Sequence, residues 1–205
     1  MVIFLPGVSA GAFSERFRPF AEACLGAGIS VARVQAWKDV HELEQKTIAE
    51  LHADIDSLVS LLQTRGYRTV CGVGKSFGGG LLLTHSPQTI SAKVLWAPAI
   101  GVTESGSNIN KYRFKPLASA QSLLDVKVDR AFLEKHDEPV LVIHGRADAT
   151  IPFSNSEQIV SMLPNAALIP IEGADHSYNT KEHEDAVIKS TVDFLIQTQT
   201  QNRQN

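Results

Sequence analysis

The chain has 205 residues, of which 43% are apolar and 20% charged, and it carries a formal net charge of −3. That length suits one domain with a sizeable core and is short for two. The slight acidic balance argues against a nucleic-acid partner, and no run approaches the roughly 20 apolar residues that span a bilayer, so no membrane partner is expected.

The elements alternate along the chain. Short apolar runs at Val2–Leu5, Ile29–Val34, Thr69–Val73, Lys93–Ala97, Pro139–His144 and Ala167–Ile171 are rich in Val, Ile and Leu and lack polar alternation. Continuous apolarity predicts strands buried on both faces, as in a parallel sheet. Helical patterns lie between them. Phe13, Phe17, Phe20, Ala21, Cys24 and Leu25 repeat at helix spacing, and Gly26 and Gly28 stop that helix. Ile48, Leu51, Ile55, Leu58, Val59 and Leu62 form a second stripe, stopped at Gly66. Ser154-x-x-Glu157 reads as a capping box opening the helix after the fifth strand. Val187, Ile188, Thr191, Val192 and Leu195 form the last stripe.

This rhythm implies an open α/β sheet with helices on both faces. One domain is expected over 1–198, with 199–205 as a frayed polar tail. Gly101–Glu138 breaks the rhythm and reads as a lid-like excursion over the carboxyl edge of the sheet. The N-terminus has no basic start and too short an apolar run for a signal peptide. Cys24 and Cys71 stand far apart in apolar segments, as free thiols would. A cytoplasmic protein fits these features.

In open α/β sheets, ligands sit outside the carboxyl ends of the strands. After the third strand comes Gly74-Lys75-Ser76-Phe77-Gly78, a G-x-S-x-G pattern between a buried strand and the apolar stretch Gly79–His85. A nucleophile on such a strand-to-helix turn is lifted clear of the sheet, and its neighbours must be glycine because side chains would collide. The overlapping Gly74-Lys75-Ser76 is no P-loop, because Thr69 stands where that loop needs glycine. Gly72, Gly74 and Gly78 only faintly echo a dinucleotide fingerprint, and no acidic residue closes the next strand.

Asp148 lies on the loop after the fifth strand, and His176 in Gly173-Ala174-Asp175-His176-Ser177 just past the last. Of seven histidines, only His176 occupies a glycine-led loop after the final strand. His41, His52 and His183 read as solvated helix residues, His85 follows an apolar helix face, and His136 sits in a charged run. His144 reads as a core histidine. Ser76, Asp148 and His176 thus stand in the chain order of a nucleophile, acid and base on this architecture. Asp175 is a rival acid, but a sequence neighbour rarely orients its own imidazole. Leu5-Pro6-Gly7-Val8-Ser9 after the first strand should supply one oxyanion donor, the Val8 N–H, and Phe77 the other.

At this point the chain resembles the α/β-hydrolase family, and within it the small dienelactone-hydrolase-like and carboxylesterase-like members. The matching pieces are Phe4-Leu5-Pro6-Gly7, Gly74-Lys75-Ser76-Phe77-Gly78-Gly79, His144-Gly145-Arg146-Ala147-Asp148 with Ile151-Pro152, and Gly173-Ala174-Asp175-His176-Ser177. One departure is Pro6, where members often carry His. Another is that Met1 begins almost inside the strand usually counted third. The resemblance therefore implies a three-layer α/β/α fold with six parallel strands, a minimal α/β-hydrolase lacking the first two strands, with the second strand at one edge.

By the resemblance and the order of the three residues, the expected activity is serine hydrolysis of small carboxylic esters through an acyl-enzyme on Ser76. A thioesterase, a small peptidase or a non-catalytic binding protein on the same fold are the alternatives. Ser9, Trp37, Lys75, Trp96, Arg146 and Tyr178 are candidate pocket residues, with Phe13, Tyr112 and Phe153 further out. Lys75 and Arg146 flank the site and could attract a carboxylate. No metal or organic cofactor is implied, and the chain is expected to be a monomer or homodimer.

Overall fold

A computed structural model describes residues 1–8, 11–85, 89–100, 102–103, 106–107 and 128–204. Most of the expected lid-like excursion, and with it Tyr112, lies outside the described residues, as does Ser9.

The sheet begins with β1 (Val2–Leu5), which is buried throughout. A short 3-10 turn, Glu15–Phe17, leads into α1 (Arg18–Gly26). The helix thus starts later than the Phe13 periodicity suggested. Pro19, which lacks an N–H, sits in its first turn, where no donor is needed, and Phe13 is 60% exposed. Next come β2 (Val31–Arg33), α2 (Val40–Gln45) and α3 (Ile48–Thr64). A reciprocal capping box between Thr47 and Glu50 opens α3.

The central strand β3 (Cys71–Lys75) leads into α4 (Phe77–Thr84), every residue of which is buried. Then follow β4 (Lys93–Trp96) and a small antiparallel pair, β5 (Val102–Thr103) and β6 (Gly106–Ser107). A single turn, α5 (Arg130–Leu133), precedes β7 (Val140–Gly145), α6 (Phe153–Met162), β8 (Ala166–Ile171) and α7 (Lys181–Gln204).

Two expectations change. Helix α6 begins at Phe153 with Pro152 as its cap and no side-chain capping bond, so Ser154 and Glu157 lie inside the helix and form no box. Residues 199–204 are not frayed but continue α7. Its last turns carry threonines, Thr198 and Thr200, whose hydroxyls donate to the carbonyls of Phe194 and Ile196.

The six strands pair in the order β2-β1-β3-β4-β7-β8, all parallel, with β2 at one edge as expected. Because strand side chains alternate, each strand feeds two cores. Ile3, Leu5, Leu95 and Val142 meet α3, α4 and α6 on one face. Val2, Phe4, Val73, Val94 and Ile143 meet α1 and α7 on the other. Cys71, Val73 and Lys75 share a face of β3, so Lys75 points toward the α1/α7 side. Cys24 and Cys71 are free and buried, and burial pushes their thiols up to about 12 and about 11. Among the described residues no helix is long and apolar enough to cross a membrane.

The stripe of α3 allows a direct check. Ile55 is buried against the sheet, whereas Leu61 on the same helix is 52% exposed. Ile55→Ala should cost about 2–5 kcal/mol in urea unfolding, and Leu61→Ala no more than about 0.5 kcal/mol. Equal losses at the two positions would contradict this packing.

Candidate active site

Parallel pairing places the carboxyl ends of β1, β3, β4, β7 and β8 along one edge. Ser76 follows β3 directly. Its backbone sits at φ 53° and ψ −114°, outside the regions that side-chain-bearing residues favour. Such a conformation costs of order 1–3 kcal/mol and persists only where its surroundings hold it. Here the Ser76 N–H donates to the Trp96 carbonyl at 2.8 Å, and the Ser76 carbonyl accepts from Gly80 and Ala99.

The turn closes because two side chains are missing. A Cβ on Gly74 would collide with the Gly78 carbonyl, and one on Gly78 with the Leu5 carbonyl. The loop after β1 also abuts the turn, since a methyl on Gly7 would lie 3.3 Å from the Ser76 Cβ. Phe77 is the first residue of α4, so its N–H has no acceptor within the helix. Val8 is a half-buried turn residue following Gly7. Both expected oxyanion donors therefore belong to segments that meet at Ser76.

His176 bridges the other two residues. Its Nε2 lies 3.0 Å from the Ser76 Oγ, and its Nδ1 lies 2.6 Å from the Asp148 Oδ2. The three side chains expected from the sequence thus form one line of hydrogen bonds. The rival Asp175 does not enter it. Its carboxylate accepts from the Ser177 and Asn179 backbone and from the Asn179 side chain.

Asp148 is buried and amply bonded. Its Oδ1 accepts from the Thr150 and Ile151 N–H groups, both at 2.8 Å. Its Oδ2 also faces His144 Nε2 at 3.0 Å. Burial alone would raise this carboxyl, but the bonds from His144, His176 and Ile151 outweigh it and hold it well below the usual range. For His176 the balance is different. Burial lowers its pKa most, the Asp148 bond opposes this, and the nearby Lys75 charge lowers it again, leaving it below its ordinary value.

The role of His144 was not legible from the sequence beyond its being a core histidine. It is fully buried, with Nδ1 2.6 Å from the Ser156 Oγ and Nε2 on Asp148 and the Ile151 carbonyl. It supports the acid. A His four residues before the Asp, at a strand end, was the only hint.

Of the remaining histidines, His41 is exposed as expected, with 85% of its side chain open, but His52 and His136 are enclosed. His52 is not solvated. Its Nε2 lies 3.2 Å from the Leu81 carbonyl, and burial with the neighbouring His85 lowers it to about 4. His136 is buried beside Glu138, which also pairs with Lys93 at 2.8 Å.

The candidate pocket residues separate. Trp96, Lys75 and Tyr178 line a cavity of about 420 Å³ on the α1/α7 side. The Trp96 indole N–H donates to the Thr191 Oγ1 and the Tyr178 hydroxyl to the Ile143 carbonyl. Trp37 lies elsewhere. It packs edge-on against Phe77 and borders a smaller recess with Val8 and Gln35. Arg146 is engaged away from the cavity, with its Nε on Glu172 at 2.7 Å and its guanidinium 4.4 Å over the Phe153 ring. Among the described residues no group of His, Cys, Asp and Glu is placed to hold a metal ion.

Comparisons with known proteins agree with this architecture. A family model described as TAP-like protein matches residues 116–205. No curated protein matches the chain. Among solved structures, Est1E from Butyrivibrio proteoclasticus superposes with a TM-score of 0.79 at 17% identity, covering 97% of this chain and 88% of its own. The monoacylglycerol lipase of Paleococcus ferrophilus gives 0.76 at 19% identity, covering 96% and 94%. The dienelactone hydrolase of Anabaena variabilis gives 0.71 at 18% identity, covering 96% and 85%. With its six parallel strands, flanking helices and sharp turn at Ser76, the chain has the α/β-hydrolase fold.

Proposed function

We propose that the protein is a serine hydrolase that cleaves carboxylic esters of small substrates through an acyl-enzyme on Ser76. The observation that carries this reading is the unbroken line from Asp148 through His176 to a Ser76 held in strained backbone. The esterase, lipase and dienelactone hydrolase among its structural neighbours point the same way.

In this reaction Ser76 Oγ attacks the ester carbonyl carbon while His176 Nε2 takes its proton. Asp148, already ionised by its donors, fixes the imidazole with Nδ1–H toward itself and stabilises the charge that develops. The N–H groups of Phe77 and Val8 receive the oxyanion, each worth roughly 3–4 kcal/mol when well placed. The ester C–O bond breaks, and Nε2 returns the proton to the leaving oxygen. Water then attacks the acyl-enzyme with His176 again as base, releasing the acid and restoring Ser76.

Ser76→Ala should lower turnover of a short-chain nitrophenyl ester by a factor of order a thousand or more. Asp148→Asn should also cut it severely while the protein still unfolds cooperatively. A loss under tenfold for Ser76→Ala, or a severe loss from Asp175→Asn instead, would overturn these roles.

The pH profile gives an independent check. Only neutral His176 can accept the proton, so activity is lost as pH falls through its pKa in the folded protein. Burial and the Lys75 charge depress that pKa, so the acid limb of kcat/KM should fall below the ordinary histidine value of 6.5. An acid limb centred above that value would contradict the environment described for His176.

A further inference from the structure

Lys75 is an ammonium group in an unusual position. Only 7% of its surface is exposed, yet among the described residues the one acceptor its Nζ meets is His176 Nε2, at 3.3 Å. Its other neighbour is the Tyr178 ring, whose centroid is 5.3 Å away. An ammonium carries three donors, so Lys75 keeps donors for whatever occupies the cavity that it lines. Buried charges are ordinarily paired. The nearby carboxylates are committed elsewhere, Asp148 to the two histidines and Asp175 to its own turn.

The cavity that Lys75 lines brings a second cation close to it. Arg16 borders it, and among the described residues no carboxylate lies within ion-pair distance of Arg16. Glu184 and Lys181 also border the cavity and lie 3.8 Å from each other. Lys75 and Arg16 therefore place two cations beside an apolar floor of Phe17, Phe20 and Trp96, with Asp148 and Asp175 acting on Lys75 only through space.

Position relative to the imidazole indicates which part of a substrate enters. His176 Nε2 hands its proton to the leaving oxygen, and Lys75 stands beside that same nitrogen. A group reaching Lys75 therefore belongs to the alcohol side of the ester. Resting on the hydrolase reading above, we infer that the cavity binds a carboxylate on the alcohol portion of the substrate, so that the preferred substrates are esters of small hydroxycarboxylic acids, anchored by Lys75 and Arg16.

Such an anchor would also assist the reaction. Nε2 has one lone pair, and the Lys75 ammonium and the Ser76 hydroxyl both lie within reach of it. A substrate carboxylate draws Lys75 away and leaves that lone pair to Ser76. It also offsets the Lys75 charge, which otherwise opposes formation of the imidazolium. The preference should consequently appear in kcat as well as in KM.

The test compares the acetyl ester of meta-hydroxybenzoate with that of meta-hydroxybenzamide, which has nearly the same shape and no charge. The wild-type chain should favour the carboxylate by about tenfold or more in kcat/KM, as expected of charge-assisted hydrogen bonds. Arg16→Ala and Lys75→Met should each bring this ratio toward one, a quantity that partial unfolding does not move. Calorimetric binding of meta-hydroxybenzoate to wild-type protein, tighter than that of the amide, should show the same preference without turnover. Equal kcat/KM values in the wild type, equal affinities, or a ratio unchanged in both variants would overturn the inference. If neutral nitrophenyl esters are hydrolysed but no charge preference exists, this inference alone fails. If meta-hydroxybenzoate binds preferentially but no ester is cleaved, the hydrolase reading fails instead.

Discussion

There is no room for a methyl group between β3 and the helix that follows it. Gly74 and Gly78 bring the strand end, the helix start and the β1 loop into direct backbone contact. That contact holds Ser76 in a conformation it would not otherwise adopt. The strain is modest beside the packing that opposes its release, because all of α4 is buried and both carbonyl and amide of Ser76 are bonded. A hydroxyl presented in this way has few alternatives but to face the strand edge, where the loops after β7 and β8 arrive. The parallel register of those two strands, paired from Val140 with Ala166 to Gly145 with Ile171, delivers Asp148 and His176 to the same place.

The electrostatics of the site follow from burial. A carboxylate taken out of water is costly unless it is bonded, and Asp148 gathers two backbone N–H groups and two imidazoles. These bonds favour its ionised form, which suits the orienting and charge-stabilising role proposed for it. His144 occupies one of its lone pairs and keeps its carboxylate from turning away. Lys75 works against this arrangement, since its charge disfavours the imidazolium that the proposed reaction would form at His176. Burial lowers the Lys75 ammonium itself to about 7. A cation that opposes the expected chemistry, placed beside a cavity, acquires a sense once an anionic group is supplied there.

Much of this was legible before any coordinates. Buried strands announce themselves by continuous Val, Ile and Leu, and β1 and β8 lie close to where that pattern put them. Ser76, Asp148 and His176 were marked by glycine-led turns after such strands, and their local chemistry stands in the sequence. What could not be read was anything decided by which distant surfaces meet. His52 looks like a surface residue in one dimension and is enclosed in three. Ser154 and Glu157 carry the letters of a cap, but Pro152 takes that position first. Arg16 bears no local signal at all, and it faces the cavity only because the turn before α1 and the start of α7 close around the end of β3.

The central claim is that Ser76 is an activated nucleophile. The most direct measurement is the intact mass of the folded protein after exposure to a fluorophosphonate probe at neutral pH, with the adduct located by peptide mapping. A single adduct on Ser76, lost when the protein is unfolded beforehand, is the predicted result. A folded protein that takes up no probe, or takes it at another residue while Ser76 stays unmodified, would contradict it.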